Sequence, residues 1–269
     1  MELEKFLKVD FDEPNGIVTI TLDRQGESKS DKYNSMNRGL IESLQVLLES
    51  YQDDNAIRAV IITGRGNVFS TGADIEGELM DMDHKDAYLL SFRGQKTIQM
   101  LETAPFLTLA AINGFALGGG FELALACDFR IASSSARMGL PEINLGIQPG
   151  WGGTQRLTYS IGYQRAMELI ISGDPINAAL ALELGIVREV VEPDDLLPAA
   201  HRFLSKLTKK SRFAVSIVKR SVHKSLQMGL NEGLECEAEL FALQWASDAR
   251  KEGIDAFLAR RKPDFGKTG

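Results

Sequence analysis

Short apolar runs and amphipathic stretches alternate along the first two thirds of the chain. Runs rich in β-branched residues, bounded by turn-forming residues, predict strands at residues 6–11, 17–22, 59–63, 106–112, 129–132 and 186–191. Apolar residues at helical spacing predict helices at residues 37–51, 86–103 and 121–127. The pair Asn15-Gly16 between the first two runs is one that type I′ hairpins favour. The interleaving predicts an α/β body.

Beyond residue 194 the pattern becomes entirely helical. Ser211 and Ser247 are expected N-caps there, while Pro193, Gly229 and Gly253 are expected breaks, giving three or four helices. No Pro/Ser-rich linker separates this tail from the body. Because each tail helix has an apolar face that must be covered, self-association is as consistent with the pattern as intramolecular packing.

Composition and charge narrow the possible functions. The 269 residues include 44% hydrophobic and 25% charged side chains. Their net charge of -7 argues against nucleic-acid binding through an extended basic surface. The two cysteines, Cys127 and Cys236, lie far apart and form no metal-ligand spacing. No apolar stretch is long enough for a signal peptide or a bilayer span. These features predict a cytoplasmic protein without structural zinc or membrane attachment.

The most informative segment is residues 111–128, AINGFALGGGFELALACD. Three consecutive glycines, at residues 118–120, precede a helix, so backbone N–H groups can approach a negatively charged ligand at the helix N-terminus. Glu122 lies in the first turn of that helix, beside strongly apolar residues, and is expected to be partly buried. A dinucleotide-binding loop is the alternative, but Leu123 stands where its third glycine is required.

Two further glycine-containing segments carry candidate chemistry. Residues 65–75 follow a buried strand and can supply a second backbone donor. Residues 139–157 place Glu142 after a proline and lead through a glycine-dense loop into a helix. The three histidines have no accompanying motif of a hydrolase triad or metal site. Glu122 and Glu142 are therefore the candidate catalytic carboxylates.

Four motifs together give a resemblance to the enoyl-CoA hydratase/isomerase family, called crotonases. They are STGADI at residues 70–75, the segment 111–128, PEINLGIQPGWGGTQRL at residues 141–157 and AFLARRKPDF at residues 256–265. The resemblance implies a spiral of ββα turns over residues 1–193 and a helical region over residues 194–269 within the same structural unit. It also implies trimers, commonly paired into hexamers, and an acyl-CoA substrate with no separate cofactor or metal.

The resemblance also implies roles for individual residues. The N–H groups of Ala73 and Gly119 would form an oxyanion hole, and Glu122 and Glu142 would hold a water molecule that the Gly150 N–H helps to position. One carboxylate would deprotonate this water while Glu142 delivers a proton to Cα of the substrate. The remaining implied contacts are with substrate or CoA and involve Ala73, Asp74, Ile75, Glu76, Lys32, Phe257 and Lys262.

Other outcomes stay open at this point. The family resemblance favours reversible hydration of a trans-2-enoyl-CoA, as expected in fatty acid β-oxidation, because both glutamates are retained. Enoyl-CoA isomerisation, or another reaction on a specialised acyl group such as an alicyclic one, is the alternative. An RNA-binding or scaffold role is disfavoured by the net acidity. Residues 24–32 carry extra residues relative to the usual family connection.

Overall fold

The computed structural model describes residues 3–80 and 82–267. Its strands are β1 (Leu7–Asp12), β2 (Ile17–Leu22), β3 (Ala59–Gly64), β4 (Val68–Ser70), β5 (Leu107–Ile112), β6 (Phe115–Leu117), β7 (Phe129–Ser133), β8 (Arg137–Gly139), β9 (Ile176–Asn177) and β10 (Glu189–Val191). Its α-helices are α1 (Lys29–Lys32), α2 (Arg38–Ser50), α3 (His84–Thr103), α4 (Gly119–Ala126), α5 (Gly153–Ile161), α6 (Tyr163–Ser172), α7 (Ala178–Glu183), α8 (Leu196–Leu207), α9 (Arg212–Lys224), α10 (Leu230–Trp245) and α11 (Asp248–Leu258).

The strands form two sheets. The larger sheet has the order β1-β2-β3-β5-β7-β10, with β1 antiparallel to β2 and the other neighbours parallel. The smaller sheet has the order β4-β6-β8-β9, and its first three strands are parallel. From β3 to β8 the chain alternates between the sheets, so each of these turns gives one strand to each sheet before a helix. The expected spiral of ββα turns is confirmed.

Both faces of the larger sheet are covered, which explains why its central strands are apolar throughout. Along β3, Val60 and Ile62 face the main core, whereas Ala59 and Ile61 face a second cluster. This second cluster includes residues of α8, among them Leu204. Alternate residues of a strand point to opposite faces, so a doubly covered strand cannot show a polar alternation.

The smaller sheet determines where the chemistry-bearing loops lie. Its parallel strands β4, β6 and β8 end at the same edge, because parallel strands run in one direction. Ala73 follows β4, Gly119 follows β6 and Glu142 follows β8. Three segments separated in sequence by 23 residues or more are thereby brought to one edge through successive turns of the spiral.

The predicted hairpin of β1 and β2 is confirmed, and its four-residue loop contains a 3-10 turn at Glu13–Asn15 with Gly16 at φ 64°. Other local features differ from the predictions. The three-residue strands β4, β6 and β8 were not predicted, because their hydrogen bonds come from neighbouring turns. Gly253 does not end a helix but lies inside α11, against the ring of Phe265.

The C-terminal helices have the two predicted N-caps, and α9 is held to the α/β body by an ion pair and hydrogen bonds. Ser211 and Ser247 cap α9 and α11, each accepting a hydrogen bond from a backbone N–H. On α9, Lys219 contacts Asp128 at 2.8 Å and donates to the carbonyl groups of Leu101 and Phe106. The boundary at residue 193 within one structural unit stays a prediction.

Candidate functional site

Glu122 is a buried carboxylate on α4. Every residue of this helix is buried, and Glu122 is only 1% exposed. Its Oε1 atom accepts hydrogen bonds from the backbone N–H groups of Trp151, at 2.8 Å, and Gly153, at 2.7 Å. Burial raises the pKa of Glu122 to about 7, and the charge of Glu142 adds to the rise, although the two N–H donors oppose it. At neutral pH this carboxyl group therefore exchanges readily between its two protonation states.

Glu142 lies in the 3-10 turn Pro141–Leu145, directly after β8. Its Oε2 atom is buried and has no hydrogen-bond partner among the described residues. Burial raises the pKa of this carboxyl group as well. A buried polar atom without a partner is uncommon in a folded protein and indicates a place for a ligand or a water molecule.

The two carboxylates meet at the N-terminus of α4. Glu122 belongs to the first turn of this helix, and Glu142 Oε1 lies 2.9 Å from the position that a Cβ atom on Gly118 would occupy. Gly118 has φ 52° and ψ -129°, a conformation that glycine adopts readily and other residues do not. The glycine at this position therefore permits both the turn into α4 and the close approach of Glu142.

The predicted oxyanion-hole residues also lie at this helix end. Ala73 forms a β-bridge with Met36, in which the Met36 N–H donates to the Gly72 carbonyl and the Asp74 N–H donates to the Met36 carbonyl. A Cβ atom on Gly72 would lie 3.0 Å from the Gly119 backbone nitrogen, so the two segments pass in contact. In residues 3–80 and 82–267 the N–H groups of Ala73 and Gly119 donate no hydrogen bond. The structure thus places two available donors near the carboxylates, whereas their role stays a prediction.

Trp151 is a site residue that the sequence patterns did not identify. Its side chain is 4% exposed, and its ring lies between α3 and α4. A Cβ atom on Gly94 or on Gly119 would meet this ring at separations below 3.0 Å. The signal that could have indicated the contact is Gly94 itself, because a glycine inside a helix often marks close packing.

Asp74 is a buried residue that links the connection at residues 24–32 to the segment that carries Ala73. Its side chain is buried and accepts hydrogen bonds from Arg24 and Ser30, each at 2.7 Å, and from the N–H of Gly77. Burial alone would raise the pKa of Asp74, but these hydrogen bonds and the Arg24 charge hold it below its ordinary value. The long connection at residues 24–32 therefore braces the segment that carries Ala73.

The other residues predicted to contact CoA fall into two groups, one next to Asp74 and one near the C-terminus. Ile75 and Glu76 lie in an exposed π-helical turn directly after Asp74, and Lys32 ends the short helix α1 beside Ser30. In contrast, Phe257 on α11 is 81% exposed, and no described contact links it or Lys262 to the carboxylates. Their contact with CoA stays a prediction.

A large cavity lies away from the two carboxylates. A cavity of about 920 Å³ lies behind α4, and its wall includes Glu102, Asp128, Arg156 and Lys219 but neither Glu122 nor Glu142. Among the described residues, no group of three or more His, Cys, Asp or Glu side chains could hold a metal ion. No helix in the described part of the chain combines the length and apolar character needed to cross a bilayer.

Similar proteins are known for nearly the whole chain. A sequence model of the family described as enoyl-CoA hydratase/isomerase matches residues 12–268. A crotonyl-CoA hydratase of Syntrophomonas wolfei is 39% identical over 86% of this chain and 89% of its own length. A probable enoyl-CoA hydratase of Rhizobium meliloti is 40% identical over 93% of both chains. The crystal structure of an enoyl-CoA hydratase from Bacillus anthracis superimposes with a TM-score of 0.87, at 38% identity, covering 96% of this chain and 97% of that one.

Proposed function

Because the chain belongs to the enoyl-CoA hydratase/isomerase family, we propose that it adds water reversibly across the double bond of a trans-2-enoyl-CoA, giving a 3-hydroxyacyl-CoA. The observation that carries this proposal is a pair of carboxylates at one helix N-terminus, buried Glu122 and half-buried Glu142, whose Oε2 atom has no partner among the described residues. The relatives named as hydratases support the same reaction.

The proposed mechanism assigns a different task to each carboxylate. Ionised Glu122, held by two N–H donors, removes a proton from water as the water oxygen bonds to Cβ of the substrate. Protonated Glu142 gives its proton to Cα. Charge that develops on the thioester oxygen is stabilised by the N–H groups of Ala73 and Gly119. The Gly150 N–H is proposed to hold the water, and proton exchange with solvent restores both carboxyl groups.

Hydration of crotonyl-CoA by the purified protein is the direct test of this proposal. We expect loss of the enoyl-thioester absorbance and formation of 3-hydroxybutyryl-CoA. Longer and cyclic 2-enoyl-CoA substrates would define the acyl preference, and a 3-enoyl-CoA would reveal isomerase activity. Failure to hydrate short, medium and cyclic substrates, together with turnover of the 3-enoyl-CoA, would replace hydration by isomerisation as the function.

The pH dependence follows from the same assignment. Glu122 must be ionised to accept a proton, and its pKa is raised to about 7. We therefore expect kcat/KM for crotonyl-CoA to fall as the pH drops below about 7, about tenfold for each further unit. Measuring kcat/KM from pH 5.5 to 8.5, at constant ionic strength, checks this. A profile that is flat between pH 5.5 and 7.5 would contradict the role of Glu122 as the base.

We also propose an oligomeric state, a cellular location and a metabolic role for the protein. The C-terminal helices expose large apolar side chains, among them Leu230, Phe241, Trp245, Phe257 and Leu258. Such a surface supports a homo-oligomer, proposed as a trimer or a pair of trimers, in which Phe257 and Lys262 reach a neighbouring site. We also propose a cytoplasmic location, a role in fatty acid β-oxidation and catalysis without a separate cofactor.

A further inference from the structure

One face of helix α3 contacts residues 150–153, the loop whose backbone N–H groups donate hydrogen bonds to Glu122. Ser91, Gly94 and Gln95 are three and four positions apart, so they share this face. Gly94 accommodates the Trp151 ring, while Ser91 Oγ and Gln95 Nε2 both donate to the carbonyl oxygen of Gly150, at 2.5 and 2.9 Å. Two side-chain donors thus converge on one backbone carbonyl.

This carbonyl belongs to the same peptide unit as a donor to Glu122. The Gly150 C=O and the Trp151 N–H are the two ends of a planar trans peptide, so they point in opposite directions. Ser91 and Gln95 bind the C=O end, and Glu122 Oε1 accepts from the N–H end at 2.8 Å. Because the unit rotates as a rigid plate, fixing its carbonyl also fixes the direction of the N–H bond.

The next peptide unit is held from the same helix. Arg156 Nη1 donates to the Trp151 carbonyl at 2.7 Å, and its guanidinium pairs with both oxygens of Glu102 on α3, at 2.6 and 2.9 Å. Both side chains of this pair are only 14% exposed. The following peptide then donates its Gly153 N–H to Glu122. Helix α3 therefore restrains the loop at two successive carbonyl groups.

We propose that Ser91 and Gln95 are positioning residues that orient the Gly150–Trp151 peptide and thereby fix the Glu122 carboxylate for water activation. Neither side chain contacts Glu122, so both act through the peptide. This inference rests on the proposed hydration only for its kinetic consequences, since the orientation of the peptide is independent of turnover. Loss of the N–H donor weakens stabilisation of the ionised carboxylate, which raises its pKa further.

The test is the double variant Ser91→Ala/Gln95→Leu. Amide hydrogen exchange at Trp151, measured by NMR, should accelerate at least about tenfold, because the peptide can rotate away from Glu122. With crotonyl-CoA, kcat/KM at pH 7 should fall about tenfold, and the acid limb of the pH profile should move up by about half a unit or more. Ser91→Thr retains the hydroxyl and should behave as the wild type.

The matched control is Gln45→Leu/Ser50→Ala on α2. It removes two exposed side-chain hydrogen bonds of a helix and leaves residues 150–153 untouched, so exchange and pH profile should not change. Unchanged exchange at Trp151 in the α3 double variant would overturn the proposal. A fall in kcat/KM with an unshifted acid limb would overturn it as well, since that outcome indicates a merely structural effect. If the wild type hydrates no substrate, the proposed function fails, and the exchange measurement alone decides this inference.

Discussion

Replacing Glu142 or Glu122 by glutamine is expected to lower kcat for hydration of crotonyl-CoA by at least about 10²-fold, the usual contribution of a positioned acid or base. Glutamine has nearly the shape of glutamate but does not exchange a proton at neutral pH. In Glu122→Gln the amide oxygen can still accept from the N–H groups of Trp151 and Gly153. We therefore expect the loss to appear in turnover and not in folding.

Initial rates and thermal midpoints of both variants, beside the wild type, check this expectation. Glu168→Gln is the matched control, because Glu168 is an exposed glutamate on α6 and is not one of the candidate site residues. It should retain full activity. Hydration at wild-type rates in both site variants would refute the mechanism with two carboxylates, whereas loss in only one would assign the chemistry to that residue alone.

Replacing Lys219 by methionine is expected to lower the free energy of unfolding by about 3–5 kcal/mol, the range for removing one partner of a buried ion pair. Lys219 and Asp128 are 2.8 Å apart, with side chains 8% and 18% exposed. Lys219 also donates to the carbonyl groups of Leu101 and Phe106. The variant leaves the Asp128 carboxylate and two carbonyl oxygens with fewer hydrogen-bond partners.

Urea denaturation at fixed protein concentration measures this effect, and Arg220→Met on the exposed side of α9 is the control. In the double variant Asp128→Asn/Lys219→Met, part of the lost stability should return, because the uncompensated charge is gone. A midpoint for Lys219→Met equal to that of the control would mean that the ion pair contributes nothing to holding α9 on the body.

The sequence was most informative where one local pattern determines the structure. The apolar run that forms β3 and the capping serines of α9 and α11 each carry their own signal, and all were predicted. The resemblance also identified Glu122 and Glu142, which the fold brings to the N-terminus of one helix. Their roles stay predictions that the variants above will test.

The features that were missed depend on partners far away in the chain. The strands β4, β6 and β8 have three residues each, so their identity comes from pairing between turns and not from their own composition. The position of Trp151 depends on Gly94, 57 residues earlier. Gly253 predicts a break by propensity, but a glycine costs only about 1 kcal/mol inside a helix, and the surrounding structure overrides it.

The parallel strands β4, β6 and β8 of the smaller sheet also set the spacing of the groups proposed to act in the reaction. Neighbouring strands are separated by about 4.8 Å, so the loops after β4, β6 and β8 follow one another at that interval along a single edge. Thioester polarisation is assigned to the first two loops, and proton delivery to the third. Because Gly72 passes close to Gly119 and Gly118 passes close to Glu142, an insertion in one of these loops is expected to displace groups on its neighbour as well.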